Sequence, residues 1–128
     1  MHAFPKSVRL RSNRDIRCTL DQGLKAVGPL MVVFLKPRLD AQPEVQGGSR
    51  LGVVASRKVG NAVVRNRVKR QLREAYRHLR PELLTLDALK DGDVVVVARA
   101  AAAEASSACM AEALQLGLRR LKRQLDAR

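Results

Sequence analysis

A chain of 128 residues suits one domain and can bury a modest core without disulfide or metal staples. Aromatics make up 2% of it and Trp is absent, so the core must be aliphatic, and the composition argues against a binding surface built mainly on base–aromatic stacking. Lys and Arg number 25 against 12 Asp and Glu; the resulting net charge of +13 repels itself and favours a polyanionic partner, nucleic acid before an acidic membrane.

Residues 1–9 show no period and are read as a flexible end, as are residues 124–128. "SNRDIRCTLDQG" predicts a short helix capped by Ser12, with Asp15 in a capping-box relation, Ile16 and Leu20 on one face, and Gly23 at its end. A weak strand signal covers Leu24 to Val27, turned by Gly28-Pro29. "LMVVFLK", Leu30 to Lys36, is a β-branched apolar run between prolines and predicts a strand. "PRLDAQPEVQGGS" reads as a loop, after which "RLGVVAS", Arg50 to Ser56, predicts a strand able to pair antiparallel with the run before the loop.

Gly60 then breaks the chain, and Asn61 is an N-cap for a helix that Pro81 is expected to stop at or near Arg80. Val64, Val68, Leu72, Ala75, Tyr76 and Leu79 recur at spacings of three and four and make its apolar stripe. "DVVVVAR", Asp93 to Arg99, is apolar on both faces and therefore reads as a central strand. "AAAEASSA" is ambiguous. From about Ser107 a last helix turns Met110, Leu114, Leu118, Leu121 and Leu125 inward and Arg119, Arg120, Lys122 and Arg123 mostly outward. The order is α, strands, α, β, α, a single α+β domain spanning 1–128.

Cys18 and Cys109 lack metal or redox spacing and read as core residues of a reducing compartment. The start "MHAFPKSVRL" has no apolar signal region, and no run reaches the roughly 18 apolar residues of a spanning helix, so the expected location is cytoplasmic.

The charge concentrates on the central helix. From Arg57 to Arg80 there are nine Lys and Arg residues and one acid, Glu74. Opposite the apolar stripe fall Asn66, Lys69, Arg70, Arg73 and Arg77, flanked by Arg65 and Arg67. A merely solvated face mixes signs to gain i,i+4 pairs of about 0.2–0.5 kcal/mol each, whereas here Lys69–Arg73 and Arg73–Arg77 repel. Such a ridge suits a phosphate backbone, whose condensed counterions it releases. A preceding strand argues against a helix-turn-helix, and Pro81 against a basic zipper. The spacing alone does not separate RNA from DNA, so a structural RNA-binding protein such as a ribosomal component and a DNA-binding regulator both stay open.

"SRLGVVASRKVGNAVVRNRVKRQLREAYR" resembles the signature of the bacterial ribonuclease P protein component family, with "RLRSNRDI" upstream and "GDVVVVAR" downstream extending the resemblance over most of residues 4–99. The resemblance implies a four-stranded mixed sheet packed with helices in the order α-β-β-β-α-β-α, with a left-handed β-α-β crossover around the basic helix. It implies a ribonucleoprotein endoribonuclease in which this small protein binds the catalytic ribonuclease P RNA and the 5′ leader of precursor tRNA, aiding removal of the leader. Carried over by position, Arg57, Lys58, Asn61, Arg65, Asn66, Arg67, Lys69, Arg70 and Arg73, with Arg77 a turn further on, form the RNA-binding patch. The leader track lies between the first helix and the sheet, where this sequence has Ile16, Leu20, Met31 and Phe34. With one aromatic among those four, leader contact is expected to be apolar and backbone-electrostatic, with little sequence preference. Ile16 and Leu20 have the alternative of simply packing on the sheet, and Arg65 that of bracing the fold.

No catalytic residue is expected on the protein. His2 and His78 are the only histidines, and Asp91 and Asp93 flank a turn glycine, so neither an acid–base pair nor a metal cluster suggests itself. No cofactor, membrane or small-molecule substrate is anticipated, and Mg²⁺ is expected at the active site of the RNA.

Overall fold

The computed structural model describes residues 13–37, 50–83 and 92–127. The Ser12 cap, the 1–9 end and the 38–49 loop lie outside them. Helix α1 (Asn13–Gln22) leads into β1 (Leu24–Val27), β2 (Met31–Pro37) and β3 (Arg50–Ala55), then α2 (Ala62–Leu83), β4 (Gly92–Ala98), a 3-10 helix (Ala100–Glu104) and α3 (Ser107–Asp126). The predicted element order is observed, and the weakly signalled Leu24–Val27 strand forms in full.

The four strands make one sheet in the order β1-β2-β4-β3. β1 and β2 are antiparallel, as are β2 and β4, while β3 runs parallel to β4 and is joined to it through α2. The expected direct pairing of β2 with β3 is therefore wrong, because β4 lies between them. β4 is buried at six of its seven positions, from Gly92 to Val96 and at Ala98. Only a place between two neighbours, covered on both faces, hides a run so apolar.

Register divides the sheet into two faces. Leu24, Ala26, Met31, Val33, Leu35, Leu51, Val53, Ala55, Val94, Val96 and Ala98 share one. α2 and α3 cover that face, inserting Val68, Leu72, Ala75, Tyr76, Met110, Leu114, Leu118 and Leu121 into a single aliphatic core. Gly117 lets α3 come close, since a Cβ there would lie 2.8 Å from Val33 Cγ2. The other face carries Val32, Phe34, Lys36, Arg50, Gly52, Val54, Asp93, Val95 and Val97. α1 packs on part of it, over β2 and β4.

Three further expectations change. Helix α2 continues to Leu83, past Pro81. A proline this close to a helix end removes one backbone bond and leaves the stripe that anchors the helix untouched. Residues 124–126 belong to α3 rather than to a loose tail, with Gln124 Nε2 donating to the Lys25 carbonyl at 3.0 Å. Cys109 is exposed, not core, and both cysteines are free thiols. No helix among the described residues is long and apolar enough to cross a membrane.

Candidate nucleic-acid interface

The basic surface begins in the turn before α2. Val59 is buried at 5% exposure and its N–H donates to the Ser56 carbonyl at 3.0 Å, which throws Arg57 and Lys58 out at the tip. Gly60 follows with φ of +154°, a backbone region that disfavours a side chain, and a Cβ there would come within 3.0 Å of Val64. Asn61 Oδ1 then accepts from the Val64 N–H at 3.0 Å, so the predicted N-cap is observed. That bond commits the side-chain carbonyl of Asn61 to the helix and leaves its amide group for a ligand.

No acid occupies the first turn of α2. The positive end of its dipole is thus left uncompensated beside Arg57, Lys58 and Arg65, an arrangement that costs an isolated protein stability and attracts an anion. Along the ridge Asn66, Arg67 and Arg70 are exposed, while Arg65, Lys69, Arg73 and Arg77 are half-buried.

Arg67 and Arg77 are tied into the protein. Arg67 Nη2 donates to the Ala103 carbonyl, fastening α2 to the 3-10 helix, and Gln71 Nε2 adds a 3.1 Å bond to Ser107 Oγ. The bracing contact considered for Arg65 is made instead by Arg67, and Arg65 Nε is buried with no acceptor among the described residues. Arg77 donates to Glu74 through Nη2 at 2.5 Å and Nε at 3.3 Å, and Glu74 also meets His78 Nε2 at 3.1 Å. The hydrogen bond from Arg77 draws the Glu74 carboxyl below its ordinary range and raises the Arg77 guanidinium in return. Glu74→Gln therefore releases Arg77; RNA affinity measured across a salt series should rise, with a slope steeper by roughly 0.7–0.9 for one added phosphate contact.

The second surface lies across the sheet. Ile16 and Leu20 of α1 and Phe34 of β2 are all half-buried on the α1-covered face, together with the fully buried Thr19 and Val95. Met31 is not with them. It is 2% exposed and points to the opposite face, among the core residues under α3. Alternation along β2 requires this, since Met31 and Phe34 are three residues apart and fall on opposite sides. The expected cleft contact at Met31 is thereby corrected.

Beyond α1 the open part of this face is floored by Val32, Val54 and Val97. It runs toward a cleft of about 470 Å³ lined by Pro29, Ser56, Lys58, Val97 and Arg99. Arg99 was missing from the sequence-predicted site, although its place directly after the apolar β4 run marks it as a charge at the strand end. Its Nη1 donates to the Gly28 carbonyl at 3.0 Å. Lys58 belongs to both surfaces and joins them.

Among the described residues no three His, Cys, Asp or Glu side chains group to hold a metal. Asp15 and Asp93 do converge, but onto the guanidinium of Arg50, which fills the place a cation would take.

A small α+β domain with a cationic helix on one side of its sheet and an apolar, cation-ended groove on the other belongs to the class of nucleic-acid-binding proteins. Comparison with known proteins narrows the class. Residues 4–122 match the family model described as Ribonuclease P. The chain is 40% identical over 118 residues to the Ribonuclease P protein component of Xanthomonas oryzae pv. oryzae, covering 91% of this chain and 72% of that one. It is 39% identical over 127 residues to that of Desulfovibrio desulfuricans, covering 97% and 90%. Among solved structures it resembles a Staphylococcus aureus RNase P protein mutant with defective mRNA degradation activity, at a TM-score of 0.75 and 26% identity over 91% of this chain and 90% of that one. It also resembles the RNase P protein from Thermotoga maritima, at 0.68 and 29% over 90% and 96%. The chain belongs to the ribonuclease P protein family.

Proposed function

We propose that this chain is the protein subunit of ribonuclease P, binding the catalytic RNA through α2 and its preceding turn and the 5′ leader of precursor tRNA along the α1–sheet groove. The observation that carries this reading is the exposed set Arg57, Lys58, Asn66, Arg67 and Arg70, on α2 and the turn that leads into it, with the opposite stripe of the helix locked into the core. A rigid ridge of that kind tracks phosphates at successive turns, and the released counterions drive association. The groove offers Ile16, Leu20 and Phe34 to bases and Lys58 and Arg99 to the strand's phosphates. With one aromatic among them, it holds a leader without strong preference for its sequence.

The chemistry belongs to the RNA, whose active site would hold any Mg²⁺ the reaction uses. The protein's part is to neutralise crowded phosphates and to position the leader. This division of labour places the protein in the bacterial cytoplasm, where precursor tRNA is made. Family membership favours it over the ribosomal and DNA-binding alternatives.

Reconstitution is the direct test. The purified protein should leave precursor tRNA intact, the catalytic RNA alone should cleave at high Mg²⁺, and the two together should cleave at lower Mg²⁺ with tighter substrate binding. Cleavage by the protein alone, or an Mg²⁺ requirement that it leaves unchanged, would defeat the assignment.

A further inference from the structure

We propose that the Asp15–Arg50–Asp93 cluster is a positioning device that sets the placement of α1 over the sheet, and hence the width of the groove that receives the leader. This inference rests on the leader-binding reading of that groove.

Arg50 opens β3 and stands opposite Asp93 of β4 in the parallel register. Its Nε and Nη2 each donate to one carboxylate oxygen of Asp93 at 2.9 Å, a bidentate fork across the two strands. The hydrogen bond to Asp93 raises the Arg50 guanidinium against the lowering effect of burial. The third nitrogen, Nη1, faces Asp15 Oδ2 of α1 at 3.7 Å. One guanidinium thus joins β3, β4 and α1. Exposure grades outward along the chain of charges, from 8% for the Asp93 side chain through 26% for Arg50 to 42% for Asp15.

The cluster matters because α1 buries little of itself against the other described residues. Thr19 is its only fully buried residue, and its Oγ1 is committed to the Asp15 carbonyl within the helix. Ile16 and Leu20 are only half-buried. At the far end of the helix a Cβ on Gly23 would lie 2.9 Å from the Leu35 carbonyl oxygen, so backbone meets backbone there. α1 therefore has a close contact at its C-terminal end and an ionic one at its N-terminal end. Ile16 and Leu20 lie between the two, and releasing the ionic end lets both side chains drift from Phe34.

Asp15→Asn tests this with the Arg50–Asp93 fork intact. Holoenzyme kinetics would compare precursor tRNA carrying a leader long enough to cross the groove with one carrying a single-nucleotide leader. The expected result is a KM about two- to five-fold higher for the long leader alone, the size an ion pair of this exposure supports, with kcat unchanged. The double variant Arg50→Met with Asp93→Leu removes the device without leaving a buried charge unpaired, and it should show the same selective loss. An equal loss on both substrates, or none in either variant, would overturn the proposal while leaving the leader reading in place. A wild-type holoenzyme indifferent to leader length would defeat that reading itself, and the proposal with it.

Discussion

Replacing Arg57 and Arg70 together with Ala should weaken binding to the catalytic RNA and flatten the dependence of log affinity on log salt by roughly 0.7–0.9 per lost phosphate contact. Both side chains are exposed, and neither has a carboxylate partner among the described residues, so their removal leaves the fold undisturbed. Arg67 is a poorer probe because it also bonds Ala103, and Arg77 is partly spent on Glu74. Titrations at four or five salt concentrations give the slope, and a thermal melt of the free protein serves as control. An unchanged slope with weakened affinity would mean that the two arginines act through shape rather than through phosphate.

Leu72→Ala should have the opposite character. Leu72 is fully buried in the seam between α2 and the sheet, one turn beyond Val68 and one before Tyr76. Truncation there removes apolar burial and leaves a cavity that rigid neighbours cannot close, a loss of about 2–5 kcal/mol. For a small domain that is a large share of the total stability. Urea unfolding should show a lower midpoint, while the salt slope of the fraction still folded keeps its wild-type value. Together the two variants separate the helix into a face that binds and a face that folds.

The helix itself was readable because its signals are local. Asn61 caps where a short polar side chain reaches its own third amide, and the stripe from Val64 to Leu79 recurs with the period of the helix. The cationic face was equally plain, since nine positive residues with one acid leave few pairs that attract. The family resemblance supplied the candidate residues; those of the basic patch fall on α2 and the turn before it, and Ile16, Leu20 and Phe34 fall on the α1-covered face. Met31 failed because it was assigned to the cleft by position. Alternation along β2, counted from Phe34, would have moved it to the core face before any coordinates were known. Arg99 escaped notice as the last letter of an apolar strand.

Strand order was harder. β2 and β3 are consecutive and separated by a plausible loop, so direct pairing is the economical guess. The sheet instead admits β4 between them, because the most apolar run gains most from two covered faces. Likewise, nothing near Arg50 in sequence hints at Asp93 or Asp15, which lie 43 and 35 positions away (93 − 50 and 50 − 15). Composition, helix faces and caps are properties of neighbouring residues, and so the linear chain carries them in full. Which strands become neighbours, which face a side chain shares, and which charges meet across the sheet depend on how distant segments compete for the same buried space, and no local pattern encodes the outcome of that competition.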